Sequence, residues 1–151
     1  MSELENVQVA LLFSNNSGKF VCPLGGRPGF VNCLSTLTSS DTWSTSVINT
    51  KRGVRIVLYI SSVSGTSPTL SISAQLGLFE PSITIIPSSS PITSTGTWVI
   101  HISEDGTVTL NANGTLSTIG KISFPVDRVI LSLTVGGTSP SFDISAWVEF
   151  E

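Results

Sequence analysis

Alternation is the dominant signal along this chain. Over residues 70–76, Leu70, Ile72, Ala74 and Leu76 point to one side of an extended backbone, and Ser71, Ser73 and Gln75 to the other. Over residues 142–149, Phe142, Ile144, Ala146 and Val148 form one face and Asp143, Ser145, Trp147 and Glu149 the opposite one. In WVIHIS (98–103), Trp98, Ile100 and Ile102 share a side and leave Val99, His101 and Ser103 on the other. GVRIVLYI (53–60) is apolar on both sides of the pleat, as a strand covered on two faces would be. No segment sustains apolar residues at i, i+3, i+4 and i+7, so no helix longer than a turn is predicted.

Turn signals divide these runs. Asn15-Asn16-Ser17-Gly18 lies between VQVALLF (7–13) and KFVCPL (19–24) and predicts a hairpin. GGRPGF (25–30) is too rich in Gly and Pro for regular structure, and TWSTSVI (42–48) reads as a strand ending in a turn from Asn49 to Gly53. SSVSGTSP (61–68) reads as a loop, and SITII (82–86) precedes a Pro/Ser surface connection over 87–96. Glu104-Asp105-Gly106 joins WVIHIS to TVTLNA (107–112), and Asn113-Gly114 makes a further turn. KISFPV (121–126) reads as a short strand near a sheet edge, because Pro125 cannot donate to a ladder. The chain closes with RVILSL (128–133), a Gly136-Gly137 turn and SFDISAWVEF. Eight to ten short strands at turn-marked intervals predict one all-β domain over 1–151, an antiparallel β-sandwich of jelly-roll-like kind. Met1 to Asn6 reads either as an arm reaching to a neighbour or as a frayed end.

Composition narrows the function classes. Only 11% of the 151 residues are charged, while 40% are hydrophobic; an average soluble domain carries about 25% charge. No apolar run approaches the roughly 20 residues of a membrane helix. A surface this short of charge is weakly protected against association. We therefore expect it to be covered by copies of itself or by a host assembly. A net charge of −3 speaks against nucleic acid as the main partner. The local basic group Lys51, Arg52 and Arg55 reads as a solvated strand entry. The start, MSELENVQ, shows no secretory signal, which implies synthesis in a cytoplasm without the usual export. In that setting Cys22 and Cys33 read as two free buried thiols, with a disulfide across their loop as the alternative. With one histidine in the chain they do not make a zinc site. The two Asn-x-Ser/Thr sequons at Asn15 and Asn113 are the chance products of an Asn-, Ser- and Thr-rich chain.

No reactive constellation emerges, so no catalytic residue, metal or cofactor is expected. His101 is the sole imidazole and sits on the polar side of its strand. Asp41, Glu80, Asp127 and Asp143 are scattered singly, and Glu104 and Asp105 belong to a turn. Gly25-Gly26 and Gly136-Gly137 lack the Lys-Ser/Thr or helix that a phosphate cradle requires. Trp43, Trp98 and Trp147 carry two readings: a sugar-stacking platform, or contacts with a subunit or partner. Trp147 is the strongest of the three because Ser145 and Glu149 flank it on its face, and the interface reading is favoured.

One repetition stands out. GTSPTLSISAQL (65–76) returns as GTSPSFDISAWV (137–148), identical at seven of twelve positions without a gap. Gly frees φ at the corner and Pro fixes it as the next strand begins, which predicts two long hairpins with specified corners. This pattern, with WVIHISEDG between the copies and RVILSLTVGGTSPSFDISAWVEF at the end, resembles small virion proteins of tailed phages and related prokaryotic viruses. The resemblance spans about residues 53–151, but LGLFEPSITII replaces the Asp-Gly plus Trp stretch expected after the first copy. It implies a virion structural component, a head decoration or auxiliary capsid protein that stabilises the shell by repeated non-covalent contacts. The implied partners are the major capsid protein or other virion proteins, with self-association commonly as a trimer and no membrane partner. The alternative is a carbohydrate- or receptor-binding β-sandwich on a particle or tail surface.

Overall fold

The computed structural model describes residues 8–23, 32–48, 50, 52–123 and 125–151. The anticipated arm at 1–6, the GGRPGF loop and Lys51 lie outside them. Among the described residues there are twelve strands: β1 (Gln8–Ala10), β2 (Phe13–Ser14), β3 (Phe20–Val21), β4 (Cys33–Leu34), β5 (Thr36–Leu37), β6 (Asp41–Ser44), β7 (Val54–Gln75), β8 (Ile83–Ile86), β9 (Gly96–Ile102), β10 (Thr107–Ala112), β11 (Thr115–Lys121) and β12 (Ile130–Phe150). The architecture is all-β and antiparallel apart from the β3–β4 pair. It is a β-sandwich of jelly-roll-like kind. The expectation of uniformly short strands fails at β7 and β12, which run for 22 and 21 residues.

Both failures have one cause, the doubled motif. The two GTSP copies do not turn two hairpins; they lie antiparallel against each other inside β7 and β12. Ser64 pairs with Ser141, Thr66 with Thr138 and Thr69 with Gly136, with register shifts through that stretch. Gly65 and Gly137 take φ of +111° and +103°, and Ser67 and Ser139 both take +50°. The close approach is reciprocal. A Cβ on Gly65 would stand 2.6 Å from the Ser139 carbonyl oxygen, and one on Gly137 2.5 Å from that of Ser67. Paired bulges of this kind bend both strands without breaking the ladder. The loop predicted at 61–68 and the turn predicted at Gly136-Gly137 are thus mid-strand bends.

The bend sends each long strand through both layers of the sandwich. The first half of β7 and the second half of β12 form one layer with β9, β10, β11 and β1. The second half of β7 and the first half of β12 form the other with β8, β6, β2 and β3. The alternation read from sequence supplies the shared core. Ile56, Leu58, Ile60, Phe142, Ile144, Ala146 and Val148 come from the first layer, and Leu70, Ile72, Ala74, Leu131 and Leu133 from the second. At about 25 cal/mol per Å² of apolar surface, this burial is the main stabilising term.

Three local outcomes complete the frame. At one end of the strand order the edge strand is β11, over Thr115–Lys121, not the predicted 121–126. The Asn113-Gly114 corner, with φ of +51° and +93°, starts it at once, and its mostly exposed, polar residues hide it from an alternation search. Asp41 is buried and accepts hydrogen bonds from Ser14 Oγ, Asn16 N (3.0 Å), Thr42 N (2.8 Å) and Trp43 Nε1 (2.9 Å), which ties the β2–β3 turn to β6. Cys22 and Cys33 are joined in a disulfide, not free as the favoured reading had it. The parallel pairing of Phe20 with Cys33 and Val21 with Leu34 brings their backbones together, with Cα atoms 5.1 Å apart.

Candidate functional site: the outer face of the first layer

Cross-strand register defines this face. One row runs Trp147, Val57, Val99, Asn111 and Leu116 across β12, β7, β9, β10 and β11. The next runs Glu149, Arg55, His101, Thr109 and Thr118, and a third places Tyr59 beside Ser145 and Thr97. Each row consists of alternate positions whose neighbours fill the core. Ile56, Leu58, Ile100, Ile102 and Leu110 are all buried, and that burial fixes which side chains the sheet turns outward.

Two features give the face chemical content. Trp147, half-buried, pairs with Val57, and Tyr59 is the diagonal neighbour on the same side. Diagonal neighbours lie about 7–8 Å apart, within reach of two aromatic rings. The Trp147 indole N–H donates to Glu149 Oε1 (3.3 Å), and Glu149 faces Arg55 at 3.7 Å. Beside this platform lies an open depression of about 310 Å³ lined by Gly53, Arg55, His101, Ser103, Glu104 and Glu149. A second, of about 420 Å³, shares Arg55 and His101 and extends to Asn111 and Leu116. Glycine at position 53 makes room for the imidazole, since a Cβ there would stand 3.3 Å from His101 Nε2. Burial and the neighbouring Arg55 lower the His101 pKa below its ordinary 6.5. A neutral ring offers one donor and one acceptor.

The sequence-predicted residues divide sharply. Trp147 stands on this face. Trp43 and Trp98 are only 1% and 6% exposed, in the core, which removes them from any surface platform or partner contact. Trp43 spends its indole N–H on Asp41 (2.9 Å). Sequence reasoning passed over Tyr59, Asn111 and Leu116 and placed Arg55 at no site. Arg55 and Tyr59 were nevertheless visible as the interruptions at i and i+4 in GVRIVLYI, on the side opposite Ile56, Leu58 and Ile60. Arg55, read as part of a solvated basic group, is committed to Glu149. Among the described residues no group of three or more His, Cys, Asp or Glu is placed to hold a metal ion. The face offers aromatic surface, neutral and charged donors and paired charges.

No protein-family model and no curated protein matches the sequence. Among solved structures, the carbohydrate recognition domain of Emp47p is 12% identical with a TM-score of 0.49, over 97% of this chain and 88% of that one. The SPRY domain of human HERC1 is 8% identical with a TM-score of 0.47, over 72% and 82%. The CBM2 module of the evolved Dit of Lactobacillus casei BL23 phage J-1 is 9% identical with a TM-score of 0.41, over 73% and 69%. Likeness at this level assigns the chain to none of these families.

Proposed function

We propose that the chain is a carbohydrate-binding β-sandwich and that the outer face of the first layer is its site. The observation that carries this reading is the register that sets Trp147 and Tyr59 diagonally on adjacent strands, beside the Arg55–Glu149 pair, His101 and Asn111. Sugar rings present apolar C–H faces and a rim of hydroxyls. Aromatic rings that offer both a flat apolar body and a polar handle suit the first, and a few placed polar groups orient the second. The depressions are open, which suits a stretch of chain glycan. The role is binding without turnover. A glycan array with the wild-type chain and the Trp147→Ala and Tyr59→Ala variants tests it. We expect a defined sugar set to bind, and at least a tenfold loss in each variant with folding unchanged. Binding that both variants retain, or no glycan bound at all, overturns the reading.

A second reading, the virion structural protein implied by the doubled motif, is favoured by one structural observation: several large apolar side chains stay exposed on a charge-poor surface, Phe79 most of all. In this reading the chain lies on a capsid or tail among other virion proteins. The copy number of the chain in purified particles checks it. Hundreds of copies support a shell role, and absence from particles eliminates it.

A further inference from the structure

Two exposed apolar features share one flank of the molecule. The first is the turn after β7, where Phe79 is 94% exposed beside an exposed Leu78. This turn is built, not slack. Gln75 Nε2 donates to the carbonyl oxygens of Gly77 (3.0 Å) and Leu78 (3.2 Å), and the Glu80 N–H donates to Gly77 O (3.3 Å). The backbone that carries Phe79 therefore has little further freedom to lose on docking.

The second is an open groove of about 590 Å³ lined chiefly by Val9, Leu11, Phe13, Phe20, Val47 and Phe150. Val9, Phe13, Phe20 and Val47 are exposed, and none of the groove's lining residues is charged. Phe13 and Phe20 meet edge to face with ring centroids 5.4 Å apart, which gives the floor a defined shape. The segment 127–130 separates groove from turn. On one side the Ile48 N–H donates to Asp127 O (2.8 Å) and the Thr45 N–H to Val129 O (2.9 Å). On the other, Ile130 pairs with Gln75, and Gly77 packs towards Asp127 Oδ1. Turn and groove therefore stand about two strand spacings apart, roughly 10 Å.

We propose that the occupant of the groove is a second copy of this chain, with Phe79 of each copy seated in the groove of the other about a two-fold axis. An apolar projection and an uncharged apolar groove side by side on one flank make that flank self-complementary, as a closed isologous dimer requires. A large aromatic seated in an uncharged groove is the kind of side chain that anchors such contacts. A membrane is the poorer fit. Anchoring there takes a second signal such as basic residues, and Arg128, the cation near this turn, faces Asp127 at 3.4 Å. The inference does not depend on the glycan reading.

Sedimentation equilibrium on the full chain tests it. We expect a concentration-dependent dimer, and a dissociation constant raised about 30-fold or more by Phe79→Asp. Val47→Asp, on the groove side, should weaken it comparably. Both positions are exposed, so unchanged thermal melting verifies the fold. The decisive measurement mixes the two variants. A heterodimer retains one intact seat, Phe79 of the Val47→Asp copy in the groove of the Phe79→Asp copy, so the mixture should associate more tightly than either variant alone. A monomeric wild-type chain, a dimer indifferent to Phe79→Asp, or a mixture no tighter than its components each overturns the proposal.

Discussion

At the scale of single residues, Asp41 shows how much one buried carboxylate can organise. It receives the Trp43 indole, the Ser14 hydroxyl and two backbone N–H groups, so removing it orphans several buried donors together. Asp41→Ala should cost about 3 kcal/mol, with Asp41→Asn intermediate, as read by urea denaturation. His101 shows the opposite situation, a titratable group whose neighbours disfavour its charge. Its folded pKa lies below the ordinary 6.5, through burial first and Arg55 second. The unfolded chain therefore binds the proton more readily. The stability contributed is complete above about pH 6.5 and declines as pH falls from there towards the lower folded pKa. Denaturation midpoints across this window should show the slope in the wild-type chain and lose it in His101→Gln. That His101 and Trp147 point outward was legible from alternation alone. That Trp43 also lies on the core side was not, because its strand is short and its neighbours Thr42 and Ser44 leave no apolar face to compare.

At the scale of elements, the doubled GTSP motif is the instructive case. Its residues announce special backbone conformations correctly, and Gly65, Ser67, Gly137 and Ser139 do adopt positive φ. What local chemistry leaves open is whether such a corner reverses the chain or bends a strand that continues. Here the copies pair with each other, Ser64 with Ser141, Thr66 with Thr138 and Thr69 with Gly136, so the ladder resumes on both sides of the bend. Gly65→Ala and Gly137→Ala should each destabilise by about 2 kcal/mol or more, and by similar amounts, since each Cβ would meet the other copy's backbone. Thermal melting of the two variants checks the symmetry as well as the size. The difference between the copies is equally physical. Gln75 in the first braces the Leu78–Phe79 turn, and Trp147 in the second stands on the outer face with its N–H on Glu149. The disulfide belongs at this scale too. Closing a loop between residues separated by 11 positions, its reduction should cost about 3 kcal/mol, measured as the shift in urea midpoint with and without reductant.

At the scale of the whole molecule, β7 and β12 make the two layers one cooperative unit, because each strand belongs to both. Trp43 reports on one layer and Trp98 on the other, and both sit in the same core. Unfolding followed through single-Trp variants should give coincident transitions; separated midpoints would mean that the layers unfold independently. The sequence by itself determined what depends on near neighbours: the all-β class, the inward set Leu70, Ile72, Ala74, Phe142, Ile144 and Ala146, the hairpin turns at Asn15–Gly18, Glu104–Gly106 and Asn113-Gly114, and the outward position of Trp147. Only the tertiary structure decided what depends on register between distant segments: the pairing of the two motif copies, the disulfide, the placing of Trp147 on one face with Tyr59, Arg55 and His101, and the exposed Phe79 turn and apolar groove on either side of segment 127–130. Alternation has period two and is blind to the partner strand, whereas a site on a sheet is made by the residues that three or four strands bring into one row.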